Sequence, residues 1–381
     1  MNVSNPLHEL ADLGQSVWLD FIRRGWLEDG TIERLVRDDR ISGMTSNPAI
    51  FEKAISGGRE YDEPIGRLVR AGEDRAGDIY EALAVEDIRS AADVLLPVYH
   101  ASAGRDGFVS LEVSPELAND ADGTLIEARR LHRLVDRPNL MIKVPGTEVC
   151  TPVIRTLLAE GVHVNITLLF ARDAYARVAE AYLEALEERH AAGRKIDTVA
   201  SVASFFVSRI DSLVDARLEE RAVGSDAATA GRLRALAGRI AIANAKLAYS
   251  HFLELTGSAR WAKLAAAGAA PQRLLWASTS TKNPAYRDVL YVEQLIGRHT
   301  VNTMPPETID AFRDHGVAVE TLGKGIDEAE GELAELAALG ISLDQATTEL
   351  LDEGIRKFVE PYRKLLATIA DRTRQLAAAS V

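Results

Sequence analysis

The sequence predicts an α/β fold, a (β/α)8 (TIM) barrel with additional helices and a helical C-terminal extension. Short β-type runs alternate with longer helical stretches, the pattern that builds a parallel sheet covered by helices. Eight such runs can be counted, which is the number a closed barrel needs. Several are nearly all apolar and then end in a polar residue. Barrel strands are buried on both faces and barrel active sites collect at the strands' C-terminal ends, so those polar residues are site candidates.

In chain order the runs are residues 16–20, 41–45, 108–113, 140–144, 162–167, 199–204, 274–278 and 300–303. The polar ends are Asp20 after VWL, Lys143 after LMI, Thr167 after VNI and Ser204 after VASVA. Between them, residues 119–135, 147–160, 172–190 and 208–222 carry apolar positions at three- and four-residue spacing, with Arg and Glu on the opposite face, and read as helices. Two stretches exceed one helix per strand: 63–102 before the third run and 226–269 before the seventh. After the eighth run, residues 306–381 are again helical and rich in Ala, Leu and Glu, with Pro361 interrupting a late segment. The chain therefore reads as a single domain over 1–381, with a barrel core of about 16–304 and an extension over 305–381. That extension is expected to cap the barrel or a second subunit, as in a homodimer. With 381 residues, 47% of them hydrophobic, the chain can bury a core of this size.

A formal charge of −13 argues against a broad nucleic-acid or anionic-membrane surface, which needs clustered Lys and Arg. An anionic small molecule would instead need a local basic pocket. The one cysteine, Cys150, excludes an intrachain disulfide framework; it is expected in the helix after the fourth strand as a small buried thiol. Residues 1–13 lack the basic start and apolar run of a signal peptide, and every apolar run is shorter than a membrane span. The reading is a cytoplasmic protein. The eight histidines show no metal-ligand spacing and no Gly-rich phosphate loop is present, so no metal or other cofactor is expected.

Lys143 is the strongest chemical clue. Of nine lysines it alone sits inside an apolar strand, in LMIKVPG. An ammonium is costly to bury, so a lysine there is expected to offer a usable neutral amine that can attack a carbonyl. The alternative is a lysine that snorkels or pairs with a carboxylate for the sake of the fold.

The surrounding motifs bear on that choice. IKVPGT around Lys143, GMTSNPAIF near the N-terminus, VSLEVSPELA, NITLLF and ASFFVSRID resemble the strand-end motifs of transaldolases, in that family's order and over residues 16–304. The chain looks most like the longer bacterial branch. The resemblance implies a transferase of the pentose phosphate pathway, moving a dihydroxyacetone unit from sedoheptulose 7-phosphate or fructose 6-phosphate to glyceraldehyde 3-phosphate or erythrose 4-phosphate. It implies that Lys143 is the Schiff-base lysine and that Glu112 acts through a bound water as general acid and base. Thr167 would position that water, and Asp20 would take the proton from the C4 hydroxyl. Asn47, Asn165 and Ser204 match polar residues around the dihydroxyacetone hydroxyls, Thr45 a residue that helps hold Asp20 and Asn47, and Arg209 a phosphate-binding arginine. One departure stands out: the family's seventh-strand arginine is absent from ASTSTKNP, where Ser280 and Lys282 are the candidates to replace it as phosphate ligands.

These residue types suit the chemistry, because Schiff-base formation expels water and needs a proton to arrive and leave beside the lysine. Taken singly, each has a plainer reading: helix caps for Asp20 and Asn47, hydrogen-bonded barrel residues for Thr167 and Ser204, an exposed loop lysine for Lys282. Their joint placement at successive strand ends carries the weight. Two competing functions remain open at this point, a Schiff-base aldolase that releases free dihydroxyacetone and a catalytically silent barrel that serves as a binding protein.

Overall fold

The computed structural model describes residues 5–379. Its eight strands are β1 (Gln15–Leu19), β2 (Gly43–Met44), β3 (Phe108–Glu112), β4 (Leu140–Pro145), β5 (His163–Leu169), β6 (Ser201–Phe206), β7 (Arg273–Ala277) and β8 (Thr300–Met304). They close into one barrel in sequence order, β8 pairing back to β1, and every pairing is parallel. All six residues of β4 and all seven of β5 are buried, which explains why these strands read as unbroken apolar runs.

At the N-terminal end the barrel is closed for stability. Asp106 accepts hydrogen bonds from Ser16, from Trp18 Nε1 at 2.7 Å and from Ser42 Oγ at 3.0 Å, and faces Arg273 at 3.5 Å. Trp18 lies flat against Gly43, where a Cβ would come within 2.4 Å of the indole; the tightness of β2 thus requires glycine.

The stretch before β3 divides into helices Asp62–Arg70 and Ala76–Ala101, and that before β7 into Ala227–Ala235, Ile240–Thr256 and Ala259–Ala266. Cys150 corrects the sequence reading in one respect: it is buried, but in the turn that precedes helix Thr151–Glu160 rather than within it. Pro152 starts that helix, since a missing N–H costs nothing in a first turn.

Pro361 is a second correction. It does not interrupt the last segment, which is one helix of 37 residues, Leu343–Ala379, with Pro361 inside it. The lost backbone bond is outweighed by packing on both sides, where Phe358, Leu365 and Ile369 are almost wholly buried, each worth about 1.5–3 kcal/mol. Polar ties fasten this helix to the helices and turns that follow β2, β3 and β6. Lys364 pairs with Glu52 at 2.8 Å, Arg363 with Glu116 at 2.8 Å and Arg217 with Glu349, while Arg372 donates to the carbonyl of Gly58 at 3.1 Å. The C-terminal helix consequently lies over the end of the barrel where the strands finish.

Candidate active site

Parallel register brings three polar residues side by side inside the barrel: Lys143 of β4 faces Glu112 of β3 on one side and Asn165 of β5 on the other. Lys143 is 4% exposed. Its Nζ donates to the Ser46 carbonyl at 3.1 Å, lies 3.3 Å from Glu112 Oε2 and sits under the Phe358 ring, 5.4 Å from the centroid. The carboxylate partner foreseen as a purely structural role is therefore present, and it is the same glutamate that the motif singled out. Burial pushes the Glu112 carboxyl up to about 7, against the pull of the Lys143 charge and with a smaller push from Asp20. A group so placed can hold or release a proton near neutral pH.

Asp20 directly follows β1 and caps no helix; its Oδ1 accepts from Thr45 Oγ1 at 2.6 Å. Thr45 spends its one proton there, so the 2.7 Å contact with Thr303 is a bond that Thr303 donates. Burial raises the Asp20 carboxyl above its usual range, opposed by Lys143, Thr45 and Arg209. Asn47 both borders the cavity described below and caps helix Pro48–Gly57, its Oδ1 accepting from Ile50 N at 3.0 Å.

On the opposite wall the β5 ladder slips between Ile166 and Leu169, and Leu168 takes a φ of +62°. A bulge of this kind re-aims a neighbouring side chain. Thr167 borders the cavity here, and its buried Oγ1 has no hydrogen-bond partner among the described residues. Ser204 donates to Asn165 Oδ1 at 2.7 Å, and Asn165 Nδ2 donates to Ser110 Oγ at 3.0 Å. Asn165 has no exposed surface and does not border the cavity; whereas the motif pointed to substrate hydroxyls, the fold sets this side chain beneath Ser204.

The cavity itself measures about 410 Å³, within the range of small-ligand sites. Asp20, Thr45, Asn47, Lys143, Thr167 and Ser204 lie around its walls together with Arg209, Ser280 and Lys282. Arg209 is stacked on Phe206 at 5.1 Å and one of its terminal nitrogens is buried with no hydrogen-bond partner among the described residues. Desolvation lowers its guanidinium below the usual value, opposed by Glu353 and Asp20. Lys282, exposed at the rim, donates to Ser280 Oγ at 2.5 Å. Despite the acidic chain, one side of the cavity is thus basic.

Sequence reading did not select Lys53, Thr303 or Phe358, which also border the cavity. Thr303 had a signal, being the polar end of the eighth strand. Lys53 sits in the helix that Asn47 caps, and Phe358 is one apolar position among many on a distant helix; neither carries a local mark of function.

Comparison with known proteins agrees with the motif resemblance. The family model described as transaldolase/fructose-6-phosphate aldolase matches residues 17–369. A transaldolase of Trichodesmium erythraeum (strain IMS101) is 45% identical over 377 residues, covering 98% of this chain and 99% of the relative. A transaldolase of Parafrankia sp. (strain EAN1pec) is 48% identical over 371 residues, 97% of this chain and 98% of the relative. Transaldolase 2 of Nostoc punctiforme is 47% identical over 379 residues, 98% and 99% of the two chains.

Proposed function

Because the chain belongs to the transaldolase/fructose-6-phosphate aldolase family and its activity is that of a transaldolase, we propose a mechanism in which Lys143 carries a dihydroxyacetone unit between sugar phosphates of the pentose phosphate pathway. The observation that carries this reading is the buried Lys143 amine 3.3 Å from a glutamate, at a cavity whose other side is basic.

Lys143 Nζ attacks the C2 carbonyl of fructose 6-phosphate or sedoheptulose 7-phosphate. The resulting carbinolamine loses water as Glu112, working through a water held by Thr167, supplies the proton to the departing hydroxyl. The iminium then draws the electrons of the C3–C4 bond while Asp20 accepts the C4 hydroxyl proton. An aldose phosphate leaves and an enamine remains on Lys143. Attack of that enamine on glyceraldehyde 3-phosphate or erythrose 4-phosphate, with Asp20 returning the proton, reverses the sequence and completes the transfer.

Support for the other roles comes from position. Thr45 orients Asp20 through their 2.6 Å bond. Asn47 and Ser204 face the cavity where the hydroxyls of the three-carbon unit would lie, and Asn165 holds Ser204 from below. Arg209, Ser280 and Lys282 take the phosphate, with Arg209 bringing an unpaired buried donor to it. The same reading puts the enzyme in the cytoplasm, where charged sugar phosphates are kept; no described helix is long and apolar enough to cross a membrane.

Intact mass after fructose 6-phosphate and sodium borohydride tests the covalent step. A stable adduct is expected on the wild type and not on Lys143→Ala; an equal adduct on the variant would refute the assignment. With no acceptor present, turnover to free dihydroxyacetone is expected to be slow, and rapid multiple turnover would favour the aldolase reading instead.

A further inference from the structure

The C-terminal helix does more than pack. Phe358 projects from it onto the reacting nitrogen: the residue is 4% exposed, its ring centroid is 5.4 Å from Lys143 Nζ, and it borders the cavity. The ring is held there by its own helix. One turn earlier, Gly354 is seated so closely on the end of β5 that an added Cβ would come 2.9 Å from Leu168 Cδ2. On the other side the Lys364–Glu52 ion pair at 2.8 Å fixes the next turns to the helix that Asn47 caps. The polar partners of Nζ among the described residues are the Ser46 carbonyl and Glu112. Phe358 is thus an apolar face among groups that would otherwise admit water.

From this geometry we propose that Phe358 is a water-excluding cover that decides the fate of the carried three-carbon unit, keeping it for transfer rather than hydrolysis. The inference rests on the Schiff-base reading above. In the competing route the enamine takes back at its terminal carbon the proton that cleavage gave to Asp20 and becomes an iminium. Water then adds to the iminium carbon, the carbinolamine C–N bond breaks, and dihydroxyacetone and the free amine are released. The water consumed equals the water expelled when the Schiff base formed, so the net change is ketose phosphate to dihydroxyacetone and aldose phosphate. An aromatic face over the nitrogen opposes this route by occupying the approach of water while the enamine waits for an acceptor.

The test compares two rates in the full-length protein, wild type and the variants Phe358→Leu and Phe358→Ala. One is release of dihydroxyacetone from fructose 6-phosphate alone; the other is transfer to erythrose 4-phosphate. The ratio of release to transfer is expected to rise in the order wild type, Leu, Ala, by about tenfold in the last as the approach of water is uncovered. Glu360→Ala, on the exposed side of the same helix, is expected to leave the ratio unchanged. Leu keeps apolar bulk in the core and carries the test if Ala unfolds. A Lys143 adduct trapped in all proteins with an unmoved ratio would overturn the cover alone, whatever happens to the absolute rates; no adduct in the wild type would overturn the Schiff-base reading with it.

Discussion

Replacing Glu112 with glutamine keeps the shape of the side chain and removes its proton. The carboxylate is 3.3 Å from Lys143 Nζ, and burial holds it at about 7, so near neutral pH both its acid and its base forms are populated. Positioned acid–base groups of this kind contribute about 10²- to 10⁴-fold, or about 3–5 kcal/mol of barrier. In the proposed mechanism the loss falls on formation and hydrolysis of the Schiff base, because C3–C4 cleavage there gives its proton to Asp20. Rapid quenching into borohydride, read by intact mass, should show adduct appearing at least about a hundredfold more slowly in Glu112→Gln than in wild type. The pH profile gives a second reading. Below about 7 Glu112 is protonated and above it ionised, so kcat/KM of the wild type should bend near 7, and that bend should vanish in the variant. An adduct that forms at the wild-type rate, or a bend that survives, would remove Glu112 from the proton path.

Asp20→Asn should form the adduct normally yet stall before cleavage, so borohydride captures the whole hexose phosphate on Lys143 instead of a three-carbon unit; a three-carbon adduct at the normal rate would refute the role of Asp20. Arg209→Ala and Lys282→Ala should each raise KM for fructose 6-phosphate more than for unphosphorylated fructose, with Arg209 the larger because it is the buried donor, and equal effects on both sugars would take these residues out of phosphate binding. The contribution of His163 to stability should fall as pH drops from 6.5 to 4 because burial lowers its imidazole to about 4, against the opposite trend of the buried carboxyls Glu112, Asp87 and Asp211, which burial raises. Its Nδ1 accepts from Ala200 N at 3.0 Å, leaving Nε2 to donate to the Pro138 carbonyl, so protonation destroys the first bond. The unfolded chain binds this proton first, and about 3 kcal/mol is lost by pH 4. Urea titrations of wild type and His163→Gln should differ in that slope, and a variant that keeps it would place the pH dependence elsewhere.

Sequence alone determined the eight strands and the polar residues near their ends, because strand burial and the site's chemistry are both written locally, although β4, β5 and β6 each run two residues past Lys143, Thr167 and Ser204. An apolar run that stops at Lys143, Thr167 or Ser204 is visible without any partner, and ordered motifs made the family legible. Thr303 carried the same mark. Tertiary structure decided what depends on residues far apart in the chain. Register set Glu112 beside Lys143, hydrogen bonding drew Asn165 under Ser204, and packing kept one helix continuous through Pro361 where propensity alone ends it. Phe358 is the sharpest case. It stands 215 residues beyond Lys143, and nothing in its local pattern separates it from an ordinary core position. Only the closed barrel and the helix laid over its mouth bring that ring onto the amine, since contact between distant segments is fixed by packing rather than by neighbouring residues.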